Sequence, residues 1–151
     1  MNLTEEPEIV NWPETHYLFI EKAGPFQETA PKAWEELHQL VPAISGKNEI
    51  RGYISLYKMG PATYRAGVSL AAPPVELPPG TQYERFLGGK YSRFVLTGPY
   101  SDLPEASGRV WQIATVKKIA VRDGFALENY VNDPKTTPPA QLITEILIPT
   151  A

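Results

Sequence analysis

An internal repeat constrains the fold of this chain more than any other feature of its sequence. The pattern Y-x6-G-P-aromatic begins at Tyr17 and again at Tyr91. Each copy reads as a strand ended by a Gly-Pro turn, then a helix that carries a tryptophan, then two further strands. This order predicts an α+β fold of two pseudo-symmetric βαββ repeats at about 8–71 and 82–149, joined by a connector at 72–80. We expect a mainly antiparallel sheet, with a ligand cleft between the halves.

Hydrophobic periodicity and turn residues predict the individual elements. Helices are predicted over Thr29–Val41, capped by Thr29 and ended by Pro42, and over Leu103–Val121. The predicted strands are Glu8–Trp12, His16–Ala23, Arg51–Met59, Thr63–Ala71, Gln82–Leu87, Tyr91–Thr97, Phe125–Val131 and Leu142–Ile148.

Composition narrows the classes of function. The 151 residues suit a single domain, and the net charge of -3 with no basic run argues against direct nucleic-acid binding. The absence of cysteine and the presence of only two histidines predict no metal site, and we expect no cofactor. No apolar run reaches the length of a membrane span, and the acidic N-terminus does not resemble a signal peptide. We therefore expect a cytoplasmic protein.

Two glutamates stand in otherwise apolar strands near the C-terminus. Glu128 lies in FALENYV and Glu145 in LITEILI. A carboxylate on an apolar strand face is costly to bury unless something pairs with it. We expect both to face a pocket; the alternatives are that either points to solvent or pairs with an arginine such as Arg65 or Arg93. If both face one cavity, repulsion and desolvation would raise at least one pKa.

Aromatic residues are abundant, with eight tyrosines and three tryptophans. Tyr53, Tyr57, Tyr130 and Trp111 are candidates for rings that stack on a flat ligand or hold a cation. Ordinary core packing is the alternative for each of them. For Trp34, the tryptophan of the first predicted helix, we expect core packing.

The second half of the chain resembles a known family. The segments GGKYSRFVLTGPYSDL, ENYVNDP and LITEILIP resemble the GyrI-like (gyrase-inhibitor-like) small-molecule-binding domains, related to the effector-binding domains of AraC-type and MerR-type multidrug-responsive regulators. The resemblance implies a cleft that holds aromatic, often cationic, compounds against a buried glutamate. Its motifs E-x-Y-x-[DN] and T-E-I-x-I-P fall on Glu128 and Glu145, and its helix tryptophan falls near Trp111.

Two departures from the family pattern affect the expected site. WQIATVKKIAVRDGF replaces the usual W-L-P-x-S-G-Y-like end of the second helix, and Leu147 replaces an aromatic residue that often follows the second glutamate. We therefore expect one pocket wall to be less aromatic. No helix-turn-helix precedes the domain, so a complete chain would be a stand-alone effector-type domain.

Three functions fit these residues. The first is binding of an amphipathic, aromatic, cationic small molecule by Glu128, Glu145, Trp111, Tyr130, Tyr57 and Tyr53. The second is hydrolysis of electrophilic small-molecule toxins, which the resemblance permits, with Glu128 and Glu145 as the catalytic pair. The third is inhibition of a protein partner in the manner of a gyrase inhibitor, through a surface that the sequence does not locate.

Overall fold

The computed structural model describes residues 1–151 and shows a mixed α+β protein with antiparallel strand pairing. Nine strands and two α-helices follow one another along the chain: β1 (Asn2–Leu3), β2 (Glu8–Trp12), β3 (Thr15–Ala23), α1 (Phe26–Ser45), β4 (Ile50–Met59), β5 (Ala62–Leu70), β6 (Gln82–Phe86), β7 (Gly89–Thr97), α2 (Leu103–Val116), β8 (Ala126–Tyr130) and β9 (Ile143–Pro149). Every predicted strand and both predicted helices are present. Neither helix has the length and hydropathy that crossing a membrane requires.

The chain divides into two compact units. The central unit is residues 13–88, with strand order β4–β5–β3–β6. The split unit combines residues 1–12 with residues 89–151; its strand order is β1–β7–β9–β8, and β2 also pairs with β7. The first strand of each predicted repeat therefore lies in the unit built mainly by the other repeat. β2 pairs with β7, and β6 pairs with β3.

The repeated residues play equivalent roles in the two units. Gly24 and Gly98 both adopt positive φ, 126° and 151°, before a proline that precedes helical residues. Other residues rarely adopt this conformation, which explains why both copies carry glycine. The tyrosine of each copy is buried, and its hydroxyl donates to a backbone carbonyl. Tyr17 donates to Ile54 at 2.9 Å, and Tyr91 donates to Phe125 at 2.8 Å.

Helix α1 is longer at both ends than its sequence predicted. It begins after Pro25, and Thr29 does not cap it; the Thr29 hydroxyl instead donates to the Pro25 carbonyl at 3.1 Å. The prediction that Pro42 ends the helix is wrong. The proline ring lies on the exposed side, and the helix continues to Ser45 with Ile44 almost fully buried. Burial of Ile44 offsets the hydrogen bond that proline cannot donate.

Helix α2 is shorter than predicted, because the chain reverses at Lys118. This lysine has φ of 55°, the left-handed region. The Lys118 N–H donates to Thr115 at 3.2 Å, and the Ile119 N–H donates to Ala114 at 2.9 Å. These two bonds make a Schellman motif, and Ile119 packs against the core to complete it. The periodic pattern beyond residue 116 therefore belongs to the segment that leaves the helix.

The core of the split unit lies between α2 and one face of the β7–β9 sheet. Its buried side chains are Phe94, Leu96, Ala106, Val110, Ile113, Ala114, Ile146 and Ile148. Leu3, Leu103, Trp111 and Ile119 pack around this cluster while remaining partly exposed. We call the sheet face beneath this cluster the helix face.

Replacing Lys118 with glycine is expected to stabilise the protein. The left-handed conformation costs a lysine roughly 1–2 kcal/mol, and part of the gain is lost to the greater freedom of glycine in the unfolded chain. We expect Lys118→Gly to raise the free energy of unfolding by about 0.5–1 kcal/mol, as measured by urea denaturation. Val116→Gly, at an exposed helical position, is the control and should lower it. Equal losses in the two variants would contradict the role assigned to Lys118.

Candidate functional site

Strand β8 places Glu128 on the helix face of the split unit. Glu128 lies directly opposite Ile146 of β9, which in turn lies opposite Phe94 of β7. Directly opposed residues of antiparallel strands share a face, and Ile146 and Phe94 both belong to the core under α2. The side chain of Glu128 therefore points to the face of the sheet that carries this apolar core.

The carboxyl group of Glu128 is buried and accepts one hydrogen bond. Glu128 is 9% exposed, and the Tyr130 hydroxyl donates to its Oε1 at 2.9 Å. Burial raises the pKa of Glu128 to about 6, and the hydrogen bond from Tyr130 opposes this rise. No cationic side chain contributes to the shift. At neutral pH the group is thus ionised in a poorly solvated place, where a positively charged ligand would be favoured.

Tyr130 contacts this carboxylate, and a second tyrosine packs against Tyr130. Tyr130 shares the face of Glu128 because the two are separated by one residue of the strand. The ring of Tyr100 meets that of Tyr130 edge-on, with centroids 5.6 Å apart. Burial, and secondarily the charge of Asp133, raises the pKa of Tyr100. Tyr100 was not among the predicted site residues, although it is the aromatic residue of the repeated Gly-Pro-aromatic pattern.

Trp111 lies on α2 and is partly buried against the core of the split unit. It is therefore on the same side of the sheet as Glu128. Its side chain packs as a core neighbour, which was the alternative considered for it. Its predicted role as a ligand-stacking ring stays a prediction.

Glu145 faces away from Glu128, so the expectation that both carboxylates line one cavity is wrong. Ile146, the partner of Glu128, follows Glu145 directly in β9, and successive strand residues point to opposite faces. Glu145 instead accepts hydrogen bonds from Arg93 at 3.1 Å and from Asn129 at 2.7 Å. Pairing with Arg93 is the alternative that the sequence left open. Leu147 shares this second face, so the missing aromatic residue does not alter the surroundings of Glu128.

A buried hydroxyl without a partner lies next to the carboxylate–phenol pair. Thr144 is directly opposite Tyr130, is 0% exposed, and its Oγ1 has no hydrogen-bond partner. Most buried polar atoms are paired, so an unpaired one beside a candidate site is notable. A threonine in an apolar strand gave no signal of this in the sequence.

The remaining predicted site residues lie in the central unit. Tyr57 is buried, with its ring edge-on to Phe26 at 5.4 Å, and Tyr53 is half-buried beside Trp34 at 6.5 Å. Their predicted roles as stacking rings stay predictions.

A chain of polar contacts joins this aromatic group. The indole of Trp34 donates to the Tyr64 hydroxyl at 2.7 Å, which donates to Ser55 at 3.0 Å. Trp34 is only half-buried, so it is less of a core residue than the sequence suggested.

No three histidine, aspartate or glutamate side chains are arranged to hold a metal ion.

Replacing Glu128 with glutamine is expected to stabilise the folded protein at neutral pH. The folded chain holds the Glu128 proton more tightly than the unfolded chain does, so the stability contribution of this group falls as the pH rises from 4.5 to about 6. Above that range the buried charge costs about 2 kcal/mol. We expect Glu128→Gln to raise the free energy of unfolding by up to that amount at pH 7.5 and to leave it unchanged at pH 4, as measured by urea denaturation. Glu35→Gln, exposed on α1, is the control.

Replacing Thr144 with valine tests the unpaired hydroxyl. An unsatisfied buried polar group costs about 1–3 kcal/mol, and valine has nearly the same shape without that group. We expect Thr144→Val to raise the free energy of unfolding by about 1 kcal/mol in thermal or urea denaturation. Thr150→Val is the matched control, because the Thr150 hydroxyl is buried and bonded to Ser92 at 2.7 Å. That control should be destabilised; a loss of stability in Thr144→Val as well would contradict this account.

Several solved structures are similar in fold. The C-terminal domain of EcmrR matches with a TM-score of 0.81 at 14% identity, covering 100% of this chain and 99% of that one. SAV2435 bound to tetraphenylphosphonium matches with a TM-score of 0.77 at 14% identity, covering 97% and 94%. A hydrolase from Listeria innocua matches with a TM-score of 0.61 at 16% identity, covering 97% and 92%. At such identities the likeness shows the fold alone.

No curated protein matches the chain by sequence. The profile of the GyrI-like small molecule binding domain, however, matches residues 5–151. This match spans nearly the whole chain, including both units and the strand that carries Glu128. The protein therefore belongs to the GyrI-like small molecule binding domain family.

Proposed function

We propose that this protein binds an amphipathic aromatic cation at the helix face of the split unit, with Glu128 as the charged contact. The observation that carries this proposal is the buried carboxylate itself, which accepts a hydrogen bond from a phenol and has no cationic side chain lowering its pKa. An organic cation would neutralise it without bringing water into the apolar surroundings. The protein would then sense or sequester such a compound.

The aromatic residues around Glu128 support the second part of the proposal. Tyr130 donates to the carboxylate, the ring of Tyr100 packs edge-on against that of Tyr130, and Trp111 lies on the same side of the sheet. Each ring that holds a cation over its face adds about 0.5–2 kcal/mol, depending on desolvation. The similar structure of SAV2435 contains tetraphenylphosphonium, a cation with four aromatic rings and no hydrogen-bond donor. A site of buried charge and aromatic surface suits such a compound.

Hydrolysis is a second candidate function, and one observation favours it. A carboxyl group with a pKa of about 6 is suited to donate and accept protons near neutral pH. Two of the similar structures are described as hydrolases from Listeria innocua. Because Glu145 lies on the other face, the chemistry would depend on Glu128 alone and not on a pair of glutamates. Turnover of an electrophilic substrate that is lost in Glu128→Gln would establish this function.

Binding of tetraphenylphosphonium by calorimetry tests the main proposal. We expect micromolar affinity for the wild type at pH 7.5, and a loss of at least about tenfold in Glu128→Gln, because the buried charge is removed. Lowering the pH to 5 should weaken wild-type binding by about tenfold, since protonation then removes most of the charge. The affinity of Glu128→Gln should not change with pH.

Glu105→Gln is the control for this experiment, because it removes an exposed charge from α2. It should bind as the wild type does. Equal affinity of Glu128→Gln and the wild type would show that Glu128 is not the charged contact.

A further inference from the structure

We propose that Glu145 is a positioning residue, which fixes strand β8 from the face of the sheet opposite the ligand and so holds Glu128 and Tyr130 in place. This inference rests on the proposed function of Glu128. It gives Glu145 a role other than the direct ligand contact or catalysis that its sequence suggested.

The hydrogen bonds of Glu145 show that it is engaged within the protein. Its Oε1 accepts from Nδ2 of Asn129 at 2.7 Å, and its Oε2 accepts from Nη1 of Arg93 at 3.1 Å. Its side chain is 17% exposed. Both oxygens of Glu145 thus accept hydrogen bonds within the protein. In contrast, the carboxylate of Glu128 accepts a hydrogen bond from one phenol. A carboxylate satisfied in this way is a structural anchor.

The contacts of Glu145 extend across four strands of the split unit. Arg93 on β7 donates through Nη2 to Glu8 on β2 at 2.7 Å, as well as to Glu145 on β9. Asn129 adds β8 to the same chain. Glu8 is largely exposed, so its ion pair is screened by solvent and contributes little. The inner link between Asn129 and Glu145 is shielded, and it is the one that reaches the site strand.

Asn129 stands between the two residues of the proposed site. Side chains alternate along a strand, so Asn129 points to one face while Glu128 and Tyr130 point to the other. Strand β8 has five residues, and four of them are in register with β9. A shift or rotation at Asn129 would therefore move both flanking side chains. Their 2.9 Å hydrogen bond would weaken, because such bonds depend steeply on angle.

The experiment compares single variants with an exchange of the two partners. Glu145→Ala and Asn129→Ala each break the link between β8 and β9, because alanine supplies neither the acceptor nor the donor. The double variant Asn129→Asp/Glu145→Gln reverses it: the carboxylate introduced at position 129 accepts from the amide at position 145, whose oxygen still accepts from Arg93. Net charge and shape are preserved. Tetraphenylphosphonium affinity is measured by calorimetry at pH 7.5, and thermal unfolding verifies that each variant is folded.

We expect each single variant to bind about three- to tenfold more weakly and the exchange to restore affinity to within about twofold of the wild type. Wild-type affinity in both single variants, or an exchange variant as weak as Glu145→Ala, would overturn the proposal. If Glu145→Ala does not fold, Asn129→Ala carries the test, because it keeps the pair between Arg93 and Glu145. Loss of binding in Glu128→Gln tests the proposed function separately.

A second readout does not need a ligand. The pKa of Glu128 is measured in the ligand-free variants by carboxyl NMR, since Tyr130 is the one group that hydrogen-bonds to it and lowers its pKa. Displacing Tyr130 should raise that pKa above the wild-type value in both single variants, and the exchange should return it. Loss of the negative charge of Glu145 alone would instead lower the pKa of Glu128. An unchanged or lowered pKa would overturn the positioning role even if the wild type binds no tetraphenylphosphonium.

Discussion

The cost of keeping the Glu128 carboxylate out of water is the physical constraint on which the site depends. Its side chain points to the same face of the sheet as the core beneath α2, so bulk water does not solvate the charge. Tyr130 supplies one hydrogen bond, which opposes the rise in pKa caused by burial without cancelling it. Under the proposed function, such a group would gain from a partner that brings positive charge, and the neighbouring ring of Tyr130 would favour a partner that is also aromatic.

The two glutamates illustrate how one sheet uses identical side chains differently. Glu128 faces an apolar core, while Glu145 faces a polar chain that runs from Asn129 through Arg93 to Glu8. The alternation of β9 separates them, since Ile146 and not Glu145 is the residue opposite Glu128. Partly buried pairs such as that of Arg93 and Glu145 are weak sources of net stability, because desolvation and solvent screening offset their attraction. Their value here lies in fixing geometry.

The repeat explains the architecture of each unit, but with an exchange of strands. Each Gly-Pro turn adopts the same positive φ, and each repeated tyrosine donates to a carbonyl beyond the following helix. The first strand of each repeat nevertheless pairs within the other unit. Short segments such as Glu8–Trp12 carry no signal for their partner in their own residues. Strand pairing is decided by which edge is available, and that is a property of the assembled sheet.

The order of the elements, the repeat and the family were readable from the sequence, because they depend on local periodicity, turn residues and short motifs. The sequence also singled out Glu128 as a charge in an apolar run, and its role in binding stays a proposal. The C-terminal ends of both helices were not readable from the sequence. They depend on the burial of Ile44 beyond Pro42 and on the left-handed conformation of Lys118. Only the tertiary structure separated Glu145 from Glu128 and revealed Tyr100 and Thr144 as neighbours of Tyr130. Strand register and the packing of distant segments decide which side chains meet, and neither can be predicted from the residues of a single strand.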